Sequence, residues 1–166
     1  MKQGDSNIYF IMGVSGCGKS TIGSLLAEEL KIPFYDGDDY HSEANVKKMA
    51  QGQPLTDNDR MAWLLRLNEL AVNSLEKGAI IGCSALKESY RRILETNLQE
   101  NVRWIYLSGS FNDVMRRLRQ RKGHFMPAAL LKSQFEILEI PKNAIKVSIN
   151  LPAEQLVKRI LELIKS

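Results

Sequence analysis

Cysteine is nearly absent from this chain: Cys17 and Cys83 are the only two in 166 residues. Two cysteines do not make a disulfide framework, and no cysteine or histidine pair stands at metal-ligand spacing. Long apolar runs are missing too, none approaching the roughly 20 residues that cross a bilayer. The opening MKQGDSN lacks the charged-then-apolar layout of a secretory signal. Together these features point to a cytoplasmic protein with no membrane partner. Charge of one sign is only mildly in excess, at +4, and its basic part is concentrated between Arg116 and Lys122. That localisation favours a site for an anionic ligand over a nucleic-acid surface, so no nucleic-acid partner is expected. With 44% hydrophobic residues and no repeat or linker, the chain can bury one core. It is expected to be a single domain over 1–166.

Strand-like and helix-like patterns alternate along it. Apolar, β-rich runs at Ile8–Met12, Ile32–Tyr35 ending at Asp36, Ala79–Cys83, Val102–Leu107 and Ala144–Ile149 read as five strands. Helical patterns fall at Lys19–Leu30, Glu43–Gln51, Asp57–Lys77, Tyr90–Glu100 and Glu154–Lys165. Strands separated by helices imply right-handed crossovers, hence an α/β fold: a five-stranded parallel sheet with helices on both faces.

Gly13-Val14-Ser15-Gly16-Cys17-Gly18-Lys19-Ser20 matches G-x-x-x-x-G-K-[ST] in full and lies between a strand and a helix. Glycines there let successive N–H groups point inward as an anion nest at a helix N-terminus. Lys19 can reach the β- and γ-phosphates of ATP, and Ser20 is placed to ligate Mg²⁺. Thr21 completes the ATP-binding set. Cys17, near Lys19 and a helix N-terminus, is either a reactive thiol or a small side chain filling the loop, and the second reading is favoured.

Asp36, Asp38 and His41 begin where the second strand should end, on the side where ligands bind in open α/β sheets. Asp38 is expected to orient and deprotonate an acceptor hydroxyl, and Asp36 to support the metal through water. The alternatives are a solvated acidic turn, with Asp38 or Asp39 capping the next helix, and a structural role for His41. Ser110 opens a further helix, expected to reach Gly123 as its C′ residue. Arg117 and Arg121 share a face of it. Arg117 is assigned beside the base and Arg121 to the transferring phosphate. A lid at about 121–130, with His124 as an acceptor contact, would exclude water. The helical region at about 38–77 would bind the acceptor.

In these blocks the chain resembles gluconokinase, the bacterial-type gluconate kinase of the nucleoside-monophosphate-kinase-like fold. The resemblance runs through the glycine loop, Asp36-Gly-Asp-Asp-Tyr-His41, Asn45-Val-Lys-Lys-Met49, Gly52 to Arg60 with Trp63-Leu64, and Cys83-Ser-Ala-Leu-Lys87 with Tyr90-Arg91. It ends in Arg121-Lys-Gly-His-Phe125, Leu131, Ser133-Gln-Phe-Glu136 and Leu138-Glu139. It implies Mg²⁺- and ATP-dependent conversion of D-gluconate to 6-phospho-D-gluconate, a homodimer, and the sheet order 2-3-1-4-5. One departure is Cys17, where the family's loop usually carries serine. A gluconate site needs cations for one carboxylate, and Arg60, Lys87 and Arg91 are the candidates. Lys87 and Arg91, four apart, are expected to converge from one helix face. Rival readings are a kinase for shikimate, adenylylsulfate or a nucleoside monophosphate, and a nucleotide-binding switch or RNA-associated NTPase.

Overall fold

The computed structural model describes residues 8–121 and 127–166. Strand β1 (Ile8–Met12) is buried at every position, as a strand covered on both faces must be. Tyr9 and Ile11 enter one hydrophobic cluster and Ile8, Phe10 and Met12 the other, the two-residue period of a pleated strand. Parallel strands β2 (Phe34–Asp36), β3 (Ala79–Gly82), β4 (Val102–Ser108) and β5 (Ile145–Ser148) complete the sheet in the order β2-β3-β1-β4-β5, as the resemblance implied. At the β5 edge only Ile145 and Val147 are buried, while Lys146 and Ser148 face outward.

One face is covered by α1 (Lys19–Leu30) and α7 (Ala153–Lys165), with Ile22, Leu26, Leu156, Val157 and Ile160 meeting Ile80, Ile105 and Leu107. The other carries α3 (Asp57–Asn73) and α4 (Glu88–Leu94), whose Trp63, Leu64, Leu67, Tyr90 and Leu94 pack on Phe10, Ile81 and Trp104. Between β2 and α3 lie a 3₁₀ turn at Gly37–Tyr40 and α2 (Glu43–Ala50). Side-chain oxygens cap these segments. Ser42 accepts from Asn45 N–H at the start of α2, and Thr56 and Asp59 form a reciprocal capping box at α3.

Two expected helices end early, and one helix is additional. The helix from Tyr90 does not reach Glu100. It stops at Leu94, where Asn68 Nδ2 donates to the carbonyls of Leu94 and Thr96, and Asn97 and Gln99 turn to positive φ. The helix from Ser110, α5 (Phe111–Gln120), ends before Gly123, because Arg121 is already extended at φ −79° and ψ 123°. Gly123 lies outside the described residues. A further helix, α6 (Ala128–Ile137), replaces the end of the anticipated lid and was not foreseen. It starts after Pro127, whose ring suits a helix entry, and buries Leu130 and Leu131.

Candidate active site

The loop between β1 and α1 turns into its helix through Gly18, the N-cap, at φ 100° and ψ 19°. That left-handed geometry favours glycine. Lys19 folds back over the loop, its Nζ donating to the carbonyls of Gly13 (2.9 Å) and Val14 (3.0 Å). The Val14 and Cys17 side chains are buried in the core beneath. Beside the loop, Ser20 Oγ donates to Asp36 Oδ2 at 2.7 Å, and Asp36 Oδ1 accepts from Asp38 N–H at 3.0 Å. Asp36 therefore caps the 3₁₀ turn, while Ser42, and neither Asp38 nor Asp39, caps α2. Gly37 sits so close to Gly82 that a Cβ would run into the Gly82 carbonyl, which draws the acidic turn onto the end of β3.

Two cavities meet at this loop. The first, about 380 Å³, is a groove lined by Gly16, Gly18, Thr21, Arg117 and Arg121 together with Leu151 and Leu156. Arg117 is pinned there by a hydrogen bond to the Ile149 carbonyl. Arg121 stands in the groove with Arg117, not in the second cavity with Asp38. The second cavity is lined by Ser15, Lys19, Asp38, His41, Arg60, Trp63, Ser84, Ser133 and Gln134, with Met49, Leu55, Leu86 and Leu130 as apolar wall.

Electrostatics differ sharply around this second cavity. Asp38 lines the cavity and is exposed, yet partial loss of hydration among the surrounding protein raises its carboxyl pKa. Lys19 opposes that shift, and Asp36 and Asp39 reinforce it. His41 stacks on Trp63 with ring centroids 4.1 Å apart, and Trp63 is itself fixed by its indole N–H on the Gly37 carbonyl at 2.7 Å. Burial, then Arg60 and Arg66, lowers the His41 pKa to about 4. The imidazole is thus neutral near pH 7. Asn45 Nδ2, which also donates to the Asp59 carbonyl at 2.8 Å, lies 3.4 Å from His41 Nδ1. An amide donor there makes Nδ1 the acceptor and leaves Nε2 carrying the proton.

Of the three anticipated carboxylate partners, Arg60 alone lines the cavity. Its Nη1 donates to Tyr90 Oη at 2.8 Å, and its guanidinium lies 5.3 Å from the Tyr90 ring centre. Tyr90 Oη in turn donates to Asp57, which also accepts from Lys87 Nζ at 3.1 and 3.3 Å. Lys87 and Arg91 do not converge as expected. Lys87 is the N-cap of α4, outside the cavity, while the buried Arg91 donates to the carbonyls of Ala85 (2.7 Å) and Glu139 (2.9 Å). Residues 122–126 of the anticipated lid, His124 among them, lie outside the described residues. Gln134 lines the cavity, and Tyr90 with Asp57 stands behind Arg60, and sequence reasoning gave none of the three a role. Their partners are 30 to 119 positions away, beyond any local pattern.

A family model described as "Shikimate kinase" matches residues 15–142. The "Probable gluconokinase" of Mus musculus is 43% identical, over 95% of this chain and 97% of that one. The chain belongs to the gluconokinase family. The "Thermoresistant gluconokinase" of Escherichia coli strain K12 is 42% identical, over 97% of this chain and 95% of that one. A crystal structure of a gluconokinase from Sinorhizobium meliloti 1021 superposes with a TM-score of 0.90 at 36% identity, covering 96% of this chain and 92% of that one. The family's sheet order is the one seen here. The shikimate-kinase model marks the wider P-loop kinase fold to which gluconokinases belong.

Oxygen donors fit Mg²⁺ at Ser20 and Asp36. They form one hydroxyl–carboxylate pair, and no group of three or more histidine, cysteine, aspartate or glutamate side chains is assembled for a metal among the described residues. Mg²⁺ characteristically takes one or two protein oxygens and completes its shell with water and phosphate. No helix among the described residues is long and apolar enough to cross a membrane.

Proposed function

We propose that this chain transfers the γ-phosphoryl group of Mg·ATP to the 6-hydroxyl of D-gluconate. The observation that carries the reading is the meeting of two cavities at one phosphate loop. Gly16 and Gly18 face a groove with two arginines, while Ser15 and Lys19 face a cavity holding one carboxylate, one guanidinium and one neutral imidazole. The chemistry of that lining suits a small acceptor with one carboxylate and several hydroxyls.

In this scheme Arg117 and Arg121 hold the nucleotide along the groove, with Arg121 extending toward the γ-phosphoryl. Lys19 leaves the Gly13 and Val14 carbonyls to neutralise charge on the transferring group. Ser20 and Asp36 would hold Mg²⁺, Asp36 through water. The ion, when bound, offsets phosphate charge and fixes phosphate geometry. Arg60 pairs with the gluconate carboxylate. His41 Nε2–H donates to an acceptor hydroxyl, and Asp38 takes the proton of the attacking one. A raised carboxyl pKa makes Asp38 a better base than an ordinary aspartate. In-line transfer then needs only that acceptor and phosphoryl meet between Asp38 and Lys19. The resemblance to gluconokinases also supports a homodimer, for which light scattering should give twice 18.8 kDa.

An acceptor panel tests the assignment: Mg·ATP turnover with D-gluconate, shikimate, adenylylsulfate and nucleoside monophosphates. Turnover confined to gluconate is the expected result. Strong turnover with a nucleoside monophosphate and none with gluconate would overturn it.

A further inference from the structure

Gln134 closes a contact that the phosphoryl-transfer scheme leaves unused. From α6 its Oε1 accepts from the backbone N–H of Ser15 at 2.8 Å, and its Nε2 donates to Ser15 Oγ at 3.0 Å. The two residues are 119 positions apart, so the clasp fastens a late helix onto the phosphate loop. Ser15 is the loop residue that faces the cavity with Lys19 and Asp38, whereas Gly16 and Gly18 face the groove. Its N–H is therefore the loop donor on the acceptor side, where a γ-phosphoryl group arrives and where ADP has nothing to offer. A carboxamide oxygen is a hydrogen-bond acceptor of the same kind as a phosphoryl oxygen. Lys19, the other group awaiting that phosphoryl, is likewise spent on loop carbonyls. Gln134, Leu130 and Ser133 of α6 form one wall of the cavity, whose volume is about 40 Å³. On that scale a water needs roughly 10–15 Å³, so the cavity as it stands has room for a few waters and not for a six-carbon sugar acid.

The geometry points to Gln134 as a sensor of the γ-phosphoryl group. Its carboxamide holds that group's place on Ser15 N–H and keeps the acceptor cavity narrow. ATP displaces the carboxamide, frees α6 to withdraw, and so admits the acceptor; ADP does not. The device rests on the reading of the loop as an ATP site, and it gives the enzyme a reason to load ATP before the acceptor. By linkage, each of these two ligands then favours binding of the other.

Calorimetric titration of wild type, Gln134→Met and Gln134→Glu with β,γ-imido-ATP and with ADP tests this. Methionine keeps the length of the side chain and removes both hydrogen bonds. It should tighten β,γ-imido-ATP about three- to tenfold, the factor that one net hydrogen bond is worth, and leave ADP within about twofold. Gluconate binding without nucleotide should strengthen by a similar factor. Glutamate keeps an acceptor on Ser15 and adds charge, so it should weaken β,γ-imido-ATP more than ADP. Equal shifts for both nucleotides in Gln134→Met would reduce the clasp to a structural contact and overturn the proposal. Weaker β,γ-imido-ATP binding in Gln134→Met would overturn it as well, by making Gln134 a direct phosphate ligand. Wild type that binds neither nucleotide would instead overturn the kinase assignment beneath it. Melting curves of both variants establish that they are folded.

Discussion

Removing the Tyr90 hydroxyl should weaken gluconate binding through Arg60 without slowing phosphoryl transfer. Tyr90 is 3% exposed and sits in the α3–α4 core, so Tyr90→Phe keeps the packing and the ring beneath Arg60 and Lys87. What it loses is the oxygen that receives Arg60 Nη1 at 2.8 Å and donates to Asp57. Arg60 then keeps its charge but not its fixed position. One net hydrogen bond of roughly 1 kcal/mol corresponds to about a fivefold rise in KM for gluconate. Arg60→Ala removes the carboxylate partner itself. A hydrogen bond to a charged group is worth about 1.5–3 kcal/mol, so KM should rise roughly ten- to 150-fold. The decisive variant is the double one. If Tyr90 acts only by holding Arg60, adding Tyr90→Phe to Arg60→Ala changes KM no further. Steady-state kinetics at saturating Mg·ATP measure all four proteins. Additive effects, or a fall in kcat with KM unmoved, would refute this chain of positioning.

Asp38→Asn should lower kcat about 10²–10⁴-fold, the range of general-base contributions, with nucleotide affinity little changed by titration. Because loss of hydration raises the Asp38 pKa in the free enzyme, the acid limb of the wild-type kcat/KM profile should lie above the 3.8 of an ordinary aspartate. His41 makes stability fall in mild acid. The folded protein resists its proton until about pH 4, while the unfolded chain accepts it near 6.5. Between those values the unfolded state binds more protons, so stability drops as pH falls. After solvent screening this amounts to about 1–2 kcal/mol, seen as a shallower urea slope with pH in His41→Gln than in wild type. Finally, alkylation of the folded protein should label Cys17 no faster than Cys83. Both thiols are 1% exposed, so lack of access limits the two alike.

Local chemistry was legible in the sequence, and long-range pairing was not. β1 could be read because all five of its residues are apolar and both its faces are covered. The bounds of α1 followed from the glycine loop before it and the apolar pattern within it. Ser20 and Asp36 could be linked beforehand because a loop motif and a strand end each have a known place in an open α/β sheet. Arg91 was misplaced because four-residue spacing gives a shared helix face only inside a helix, and Lys87 is the cap rather than a member of α4. The helix past Leu94 was over-extended because nothing local shows that Asn68, on another element, takes the terminal carbonyls. The contacts of Gln134 with Ser15 and of Tyr90 with Arg60 depend on the folded crossing of distant segments.

The most direct test of gluconate phosphorylation follows two products in one reaction: ADP, and 6-phosphogluconate detected through an NADP-linked dehydrogenase, with and without D-gluconate. Equal amounts of the two products are expected when gluconate is present, and almost no ADP when it is absent. ADP formed at the same rate without gluconate, and no 6-phosphogluconate with it, would contradict gluconate phosphorylation.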